Sequence, residues 1–382
     1  MPDWRERAEQ LVAELVAHGT PIDPRWQAAL RETPRHEFVP RWLSQDEQGR
    51  WYPVAPDDPA TAAEWTARTY TDVPLVTAVD DAGMPISSSS QPGLMVRMLD
   101  ALDIADDSTV LEIGIGTGYN VALLCHRLPA EQVHSIDVEP ELTELARERL
   151  ARLGHAPRLA TRDGVTGWPE HAPYDRIIAT CAVPRIPPAW VEQVRPGGLV
   201  LADVKIGAGS GNLALLRAGP NGLQGRFDAT SAGFMALRSP TVPLRTTSRA
   251  GVWGSAERAL EPGALPEPFG PVEVFFAALD LPGNHLAREL LLDHDSRAVL
   301  ADRYTAADGS WVEVDRTGPV AAGRARTAGA TPLLDLLLDA HARYTALGRP
   351  GWDRFTLAVA TDGTHTVTVD APDAPSWVLP PL

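Results

Sequence analysis

The residues with the clearest chemical potential form a glycine-rich run that directly follows an apolar segment. Gly114, Gly116 and Gly118 alternate with other residues after Val110–Ile113, which has the composition of a buried strand. Glycine lets the backbone approach a ligand closely at the carboxyl end of a parallel strand, where open α/β sheets bind their ligands. The run therefore predicts a ligand site at the start of the following helix.

The spacing of these glycines favours one kind of nucleotide site over another. A dinucleotide fingerprint has two residues between its second and third glycines, so that a pyrophosphate can lie on the helix N-terminus. Here one residue separates each glycine from the next, and Glu112 stands in the strand just before the turn. This tighter turn favours a nucleoside that carries an amino-acid tail.

Two further acids follow the next predicted strands. Asp137 ends the strand after the glycine run, where a carboxylate can bind both ribose hydroxyls, and Asp163 precedes Gly164 at the third strand, where it can meet an adenine amino group. Each has a structural alternative, because Asp137 could cap the next helix and Asp163 could simply form an Asp-Gly turn. We predict Asp137, Asp163 and Gly164 as cofactor-binding.

The elements that must position these residues alternate between strands and helices. The predicted elements are strand Val110–Ile113, helix Tyr119–Arg127, strand Val133–Ile136, helix Pro140–Leu153, and strands Arg176–Ala179 and Leu199–Ala202. This alternation predicts a doubly wound α/β fold, Rossmann-like, with a mostly parallel sheet. Three helices are predicted before it, the third at Pro92–Leu102, and residues 51–85 are predicted as a long irregular connection.

The sequence after residue 239 changes in character. Prolines crowd a short stretch there, which is typical of a domain boundary. We predict a catalytic domain at 1–240 and a smaller α+β domain at 241–382, which we assign to substrate recognition. Its predicted strands are Val272–Phe276, Ser310–Val314, Phe355–Ala360 and His365–Val369, and its helix contains Leu333 to His341. Trp311, Trp352, Phe355 and Trp377 are candidates for a peptide-binding surface, with the alternative that they are core residues.

Composition limits the possible partners. The net charge of −16 repels phosphate backbones, so nucleic acid is excluded as a first choice of partner. The two cysteines, Cys125 and Cys181, have no metal-ligand spacing, and no metal site is predicted. The sequence shows no signal peptide or membrane span, so we expect a cytoplasmic protein that does not bind a membrane.

Several segments together resemble one enzyme family. These segments are Thr33–Pro40, Ser90-Gln91-Pro92, Leu111–Tyr119, Asp163-Gly164 and Thr180–Pro187. In order and spacing they resemble the protein-L-isoaspartate O-methyltransferases, and the resemblance covers roughly residues 1–240. It implies a class I methyltransferase fold, S-adenosylmethionine as cofactor, and a peptide or protein substrate that carries Asp or isoAsp.

The resemblance also implies roles for individual residues. Glu112, Gly114, Gly116, Asp137 and Asp163 would hold the cofactor, and Ser90 would contact the acceptor carboxylate. We predict Ser90 and Ser89 as catalytic, with Gln91, Thr180, Val183 and Pro184 in contact with substrate. A carboxylate acceptor needs no general base, and the free amides at the start of the Pro92 helix can attract it. Alternatively, Ser90 is only a helix cap and Thr180–Pro187 only a loop.

The sequence departs from the repair enzymes of this family in two places. Ser87–Ser90 stands where a Thr/Ile-Ser pattern is usual, and residues 241–382 follow the point where those enzymes end. This arrangement resembles the subgroup found with ribosomal peptide natural products, such as lanthipeptides, lasso peptides and graspetides. We therefore predict methylation of an aspartate in a constrained precursor peptide, followed by cyclisation to aspartimide. The alternative is repair of isoaspartate in damaged proteins.

Three other classes remain as competitors. A nucleic-acid N-methyltransferase usually has an Asn/Asp-Pro-Pro-aromatic stretch, which Thr180-Cys181-Ala182-Val183 lacks. A small-molecule carboxyl or catechol methyltransferase would not need the Ser-Gln-Pro element. A non-catalytic module that binds cofactor and a partner peptide would show no turnover.

Overall fold

The computed structural model describes residues 3–20, 22–206, 210–241, 255–260, 269–293, 296, 298–316, 324–372 and 375–380. The chain divides into two compact units. The first comprises Met1–Cys181, Ala189–Ala202 and Phe234–Val242, and the second comprises Ala182–Pro188, Asp203–Gly233 and Pro243–Leu382. The boundary predicted at residue 240 therefore falls within the last segment of the first unit, and most of the predicted proline-rich stretch lies outside the described residues.

The helices and strands are short and alternate frequently. Residues 3–206 contain helices α1 (Trp4–Ala17), α2 (Pro24–Glu32), α3 (Arg35–Phe38), α4 (Ala62–Arg68), α5 (Pro92–Ala101), α6 (Tyr119–Arg127), α7 (Pro140–Arg152) and α8 (Pro188–Gln193). They also contain strands β1 (Trp42–Gln45), β2 (Trp51–Val54), β3 (Leu75–Val79), β4 (Pro85–Ser89), β5 (Val110–Ile113), β6 (Val133–Asp137), β7 (Arg158–Thr161), β8 (Tyr174–Val183) and β9 (Val194–Ile206). Most of the elements predicted between residues 92 and 202 are confirmed, within a few residues at their ends.

The main sheet of the first unit has the strand order β9-β8-β5-β6-β7. Strand β5 pairs in parallel with β6 and β8, and β6 pairs in parallel with β7. Because parallel strands end at the same edge, the residues after β5, β6 and β7 are neighbours. The doubly wound α/β fold is thereby confirmed.

A second, antiparallel sheet of the first unit corrects the prediction of an irregular connection over residues 51–85. Its order is β2-β1-β3-β4. These strands have only four or five residues, too few for a clear alternation of polar and apolar positions. The turn between β3 and β4 did carry a signal, since Asp80 accepts hydrogen bonds from the backbone N–H groups of Ala82 and Met84 and Gly83 has φ 77°.

The second unit is rich in strands. Residues 210–380 contain β10 (Ser210–Gly219), β11 (Gly222–Phe227), β12 (Ala256–Ala259), α9 (Pro271–Asp280), β13 (Leu286–Leu292), β14 (Val299–Ala306), β15 (Trp311–Asp315), β16 (Arg324–Ala328), α10 (Leu333–Ala346), β17 (Phe355–Ala360), β18 (His365–Val369) and β19 (Ser376–Leu379). Strands β19-β18-β17-β11-β10 are hydrogen-bonded in that order, and β12-β16-β15-β14-β13 form a separate sheet. The predicted α+β character is confirmed. No helix among the described residues is long and apolar enough to cross a membrane.

One predicted strand of this unit is a helix. Val272–Phe276 was expected to be a strand because it combines β-branched and aromatic residues, yet it belongs to α9, which has Pro271 in its first turn. Nearly every side chain after Glu273 is buried, so the helix has no polar face that would reveal its period. A short apolar run of this kind does not distinguish a strand from a buried helix.

The aromatic residues predicted as a peptide-binding surface are mostly core. Trp352, Phe355 and Trp377 are buried, at 3%, 0% and 8% exposure. The rings of Phe275 and Phe276 on α9 pack against them. These three residues stabilise the second unit, so the prediction that they contact a peptide was wrong.

We expect Phe275→Ala to destabilise the second unit by about 3–5 kcal/mol, because the ring is fully buried among Phe227, Trp352 and Phe355. Denaturant unfolding followed by circular dichroism measures the loss. Val378→Ala, at a position that is 66% exposed, is the control. A loss below about 1 kcal/mol for Phe275→Ala would contradict this packing.

Candidate active site

The glycine turn after β5 is built from backbone conformations that side chains rarely adopt. Gly114, Gly116 and Gly118 have φ values of 103°, 52° and 85°. A Cβ at Gly114 would lie 2.6 Å from Thr180 Oγ1, and a Cβ at Gly118 would lie 3.0 Å from the Ala146 Cβ. Gly114 and Gly116 remain partly exposed. The turn therefore presents bare backbone at the edge of the sheet.

Glu112 lies beneath this turn and is completely buried. Its two carboxylate oxygens accept hydrogen bonds from Asn120 Nδ2 at 2.7 Å and Ser135 Oγ at 2.5 Å. Burial raises the pKa of Glu112 to about 7, although these two hydrogen bonds lower it. Since both oxygens have protein partners, the geometry favours a role for Glu112 in supporting the turn from below.

Asp137 connects the glycine turn with the start of α7. One carboxylate oxygen accepts from the Gly116 N–H at 3.0 Å, and the other accepts from the Glu139 N–H at 3.1 Å. Asp137 is 9% exposed. The contact with Glu139 is the capping contact considered as an alternative, whereas the contact with Gly116 ties Asp137 to the predicted cofactor site.

Asp163 and Gly164 follow β7 and are covered by residues 234–241 of the same unit. Asp163 Oδ2 accepts from Ser239 Oγ at 2.7 Å and Thr241 Oγ1 at 2.8 Å, and Asp163 Oδ1 accepts from the Val165 N–H, which is the predicted Asp-Gly turn contact. A Cβ at Gly164 would lie 2.9 Å from Leu237 Cδ1. No local pattern in the sequence predicts that residues 234–241 return to Asp163.

The serine run lies beside the glycine turn. A Cβ at Gly116 would lie 3.6 Å from the Ser88 carbonyl oxygen. The Ser89 side chain is 1% exposed and its hydroxyl has no hydrogen-bond partner among the described residues, whereas Ser90 is partly exposed. Of the two predicted catalytic serines, Ser90 is the accessible one. Ser90 is not the cap of α5, since Gln91 occupies that position.

Asp72, which sequence reasoning missed, occupies the N-terminus of α5. Its carboxylate accepts from the Gly93 N–H at 2.6 Å and from Gln91 Nε2 at 2.8 Å. The expectation that the amides of this helix are free to attract the acceptor carboxylate was therefore wrong for Gly93, because a carboxylate of the protein already binds there. Gln91, predicted to contact substrate, donates to Asp72.

The residues predicted to form the wall after β8 fall into both units. Thr180 Oγ1 donates to the Gly114 carbonyl oxygen at 2.7 Å, so its hydroxyl holds the glycine turn. Val183 and Pro184 belong to the second unit, where Val183 is 2% exposed. There the Ile186 N–H donates to His365 Nε2 at 2.9 Å, and Arg185 Nη2 donates to the Pro380 carbonyl oxygen at 3.0 Å.

The residues of the first unit fit a nucleoside cofactor. The glycine turn exposes backbone at Gly114 and Gly116, and Asp137 holds one carboxylate oxygen against the Gly116 N–H. Asn120 and Ser135 are supporting residues that sequence reasoning missed. The sequence could have indicated both residues, because each is a polar residue inside an apolar helix or strand. Among the residues that the structure describes, no group of acids, histidines and cysteines is arranged to hold a metal ion.

Comparisons with known proteins agree with this fold. Residues 60–231 match the model of the family protein-L-isoaspartate(D-aspartate) O-methyltransferase. Protein-L-isoaspartate O-methyltransferase 2 of Syntrophobacter fumaroxidans is 38% identical over 189 residues, which cover 48% of this chain and 63% of that protein, slightly less than two thirds. Protein-L-isoaspartate O-methyltransferase 1 of Polaromonas sp. is 33% identical over 207 residues, 52% of this chain and 75% of that protein.

A solved structure titled protein-L-isoaspartate O-methyltransferase resembles the fold over nearly the whole chain. It has a TM-score of 0.54 and 23% identity, and the match covers 97% of this chain and 98% of that one. The fold and the family match together define a class I methyltransferase, whose cofactor is S-adenosylmethionine. The chain belongs to the protein-L-isoaspartate(D-aspartate) O-methyltransferase family.

We expect Glu112→Gln to change the pH dependence of stability. Because the folded-state pKa of Glu112, about 7, lies above its ordinary 4.5, the wild type loses stability as pH rises between these values, and the variant does not. As the pH rises from 4.5 to about 7, the unfolding free energy of the variant should increase relative to that of the wild type by up to about 3 kcal/mol. Urea unfolding at several pH values measures it, with the exposed Glu131→Gln as control. A difference independent of pH would contradict the buried, raised-pKa carboxyl.

Proposed function

We propose that the protein methylates the side-chain carboxylate of isoaspartate in peptides or proteins. The observation that carries the proposal is the proximity of two features within the first unit: the glycine turn with Asp137, and the serine run with the accessible Ser90. The first fits the methyl donor, and the second offers a hydroxyl to an acceptor. Membership of the isoaspartate methyltransferase family supports the same acceptor.

The proposed reaction requires no acid or base catalysis by a side chain. S-adenosylmethionine supplies a methyl group bonded to a positively charged sulfur. The acceptor carboxylate is already ionised near neutral pH, so no side chain has to remove a proton. In this proposal the Ser90 hydroxyl donates to one oxygen of the acceptor and leaves the other to react, while Gly114, Gly116 and Asp137 hold the donor. Positioning and exclusion of water then carry the catalysis.

A second candidate acceptor is an aspartate in a constrained precursor peptide, which the sequence predicted. That prediction depended on the presence of residues 241–382. A solved structure titled protein-L-isoaspartate O-methyltransferase matches 97% of this chain, however, so a C-terminal unit alone does not set the chain apart from proteins with that title. We therefore prefer isoaspartate and treat the precursor peptide as an alternative outcome of the test.

We also propose that the second unit takes part in substrate recognition, since it contains Val183 and Pro184, two of the residues predicted to contact substrate. Within that unit, His365 on β18 accepts a hydrogen bond from the Ile186 N–H. Burial lowers the pKa of His365 to about 4, so the ring is neutral at pH 7 and its Nε2 can act as an acceptor. Arg185 is tied to Pro380 in the same unit. If Val183 and Pro184 contact substrate, their backbone depends on these bonds.

The acceptor is tested with two peptides that differ only in Asp versus isoAsp. With S-adenosylmethionine, we expect the wild type to form a methyl ester on the isoAsp peptide, detected by mass spectrometry. Gly114→Ala is the negative control, because its Cβ would clash with Thr180 Oγ1. Methylation of the Asp peptide alone would refute the proposal. Cofactor binding without turnover of either peptide would refute it too, in favour of a dedicated, constrained peptide.

The role of the second unit is tested with His365→Ala. Removal of the acceptor for the Ile186 N–H should raise the KM for the peptide by about 10-fold, the scale of one lost buried hydrogen bond. The Kd of S-adenosylmethionine, measured by calorimetry, should not change. The matched control is His341→Ala, which removes another histidine of the same unit, one that pairs with Glu273. Equal KM values for wild type and His365→Ala would contradict this role.

A further inference from the structure

Two polar residues outside the predicted site, the buried Arg35 and the partly exposed Asp72, converge on the turn that carries Ser90. Arg35 lies on α3 and is 0% exposed, and Asp72 lies in the segment between α4 and β3. Neither residue was assigned a role from its position in the sequence. Their hydrogen bonds join three separate segments of the first unit.

Arg35 links the segment around Asp72 to Ser90. Its Nη1 donates to the carbonyl oxygens of Thr69 and Thr71 at 3.1 and 2.9 Å, and its Nη2 donates to those of Val73 and Ser90 at 3.0 and 3.2 Å. Burial lowers the pKa of Arg35 to about 10, so the guanidinium stays charged at neutral pH. One cation thus holds both segments of the chain on which Asp72 and Ser90 lie.

Asp72 completes the connection from the other side. Its carboxylate accepts hydrogen bonds from Gln91 Nε2 and from the Gly93 N–H. Both residues lie within three positions after Ser90. Ser90 is therefore held at its carbonyl oxygen by Arg35, while the next residues are held by Asp72. A Cβ at Gly93 would lie 2.8 Å from Asp72 Oδ2, so the approach of this carboxylate requires glycine there.

The same contact determines what the start of α5 can bind. A helix N-terminus attracts anions through its free amides. Asp72 occupies the Gly93 amide and adds a negative charge, so an acceptor carboxylate is turned away from the helix axis. The Ser90 hydroxyl, which is not held by either residue, then remains as the nearby polar group for the acceptor.

We propose that Asp72 and Arg35 are positioning residues that fix the Ser90–Gly93 turn, and that Asp72 keeps the N-terminus of α5 closed to the acceptor carboxylate. This inference rests on the proposed function of Ser90. It predicts that Asp72 acts on the acceptor and not on the cofactor. It also predicts that a small carboxylate can replace the Asp72 side chain.

The test compares wild type, Asp72→Ala and the control Asp100→Ala with the isoAsp peptide. Asp100 is a second acid of this region, on α5 itself, which accepts from the Asp23 N–H far from Ser90 along the helix. We expect Asp72→Ala to lose about 100-fold in kcat/KM for the peptide, the scale of a small misplacement of a reacting group. The Kd of S-adenosylmethionine should not change, and Asp100→Ala should keep wild-type turnover.

Chemical rescue separates positioning from general loss of structure. Added formate should restore part of the Asp72→Ala activity by binding the vacated Gly93 amide, and should leave wild type and Asp100→Ala unchanged. Turnover of Asp72→Ala equal to that of wild type would overturn the inference alone. Absence of turnover in the wild type would refute the proposed function and the inference with it.

A second pair of variants decides the matter if Asp72→Ala does not fold. Gln91→Glu places a carboxylate against Asp72 and should lower kcat/KM, whereas the double variant Asp72→Asn/Gln91→Glu restores a donor and acceptor pair and should recover most of it. Recovery in the double variant is a coupling that independent structural damage would not produce. If the double variant is no better than Gln91→Glu, the inference is overturned.

Discussion

The first unit depends on one constraint: it must present bare backbone at the end of β5 while the buried carboxylate beneath it remains hydrogen-bonded. Three glycines with positive φ meet the first half of this constraint. Glu112 meets the second half, since its buried carboxylate is divided between Asn120 and Ser135. Both oxygens of this acid have partners within the protein, while Gly114 and Gly116 above it stay partly exposed.

Two helix N-termini near this turn are treated differently. Helix α6 begins at Gly118 in the left-handed conformation, without a hydrogen bond from a capping side chain. Helix α5 begins under the carboxylate of Asp72, which is supplied by a distant segment. At α6 the Tyr119 N–H donates to the hydroxyl of the neighbouring Thr117, whereas at α5 a full negative charge lies against the helix N-terminus and disfavours a second anion there.

The sequence predicted the elements whose residues carry a local signal. The glycine spacing and the strand and helix rhythm from Val110 to Ala202 led directly to the fold and to the cofactor turn. It did not reveal Asp72 or the return of Ser239 to Asp163, because these contacts join segments far apart in the chain. The four-stranded sheet before Ser90 was missed because its strands are too short to show a period, and α9 was mistaken for a strand because it is buried on nearly all sides.

The most direct test of the account is a crystal structure of the protein with S-adenosylhomocysteine and an isoaspartyl peptide. The account predicts the nucleoside against Gly114 and Gly116, the ribose on Asp137, and the peptide carboxylate within hydrogen-bond distance of Ser90 Oγ. Asp72 should keep its bond to the Gly93 N–H in that complex. A peptide carboxylate bound to the amides of α5 in place of Asp72, or a cofactor that makes no contact with Asp137, would contradict it.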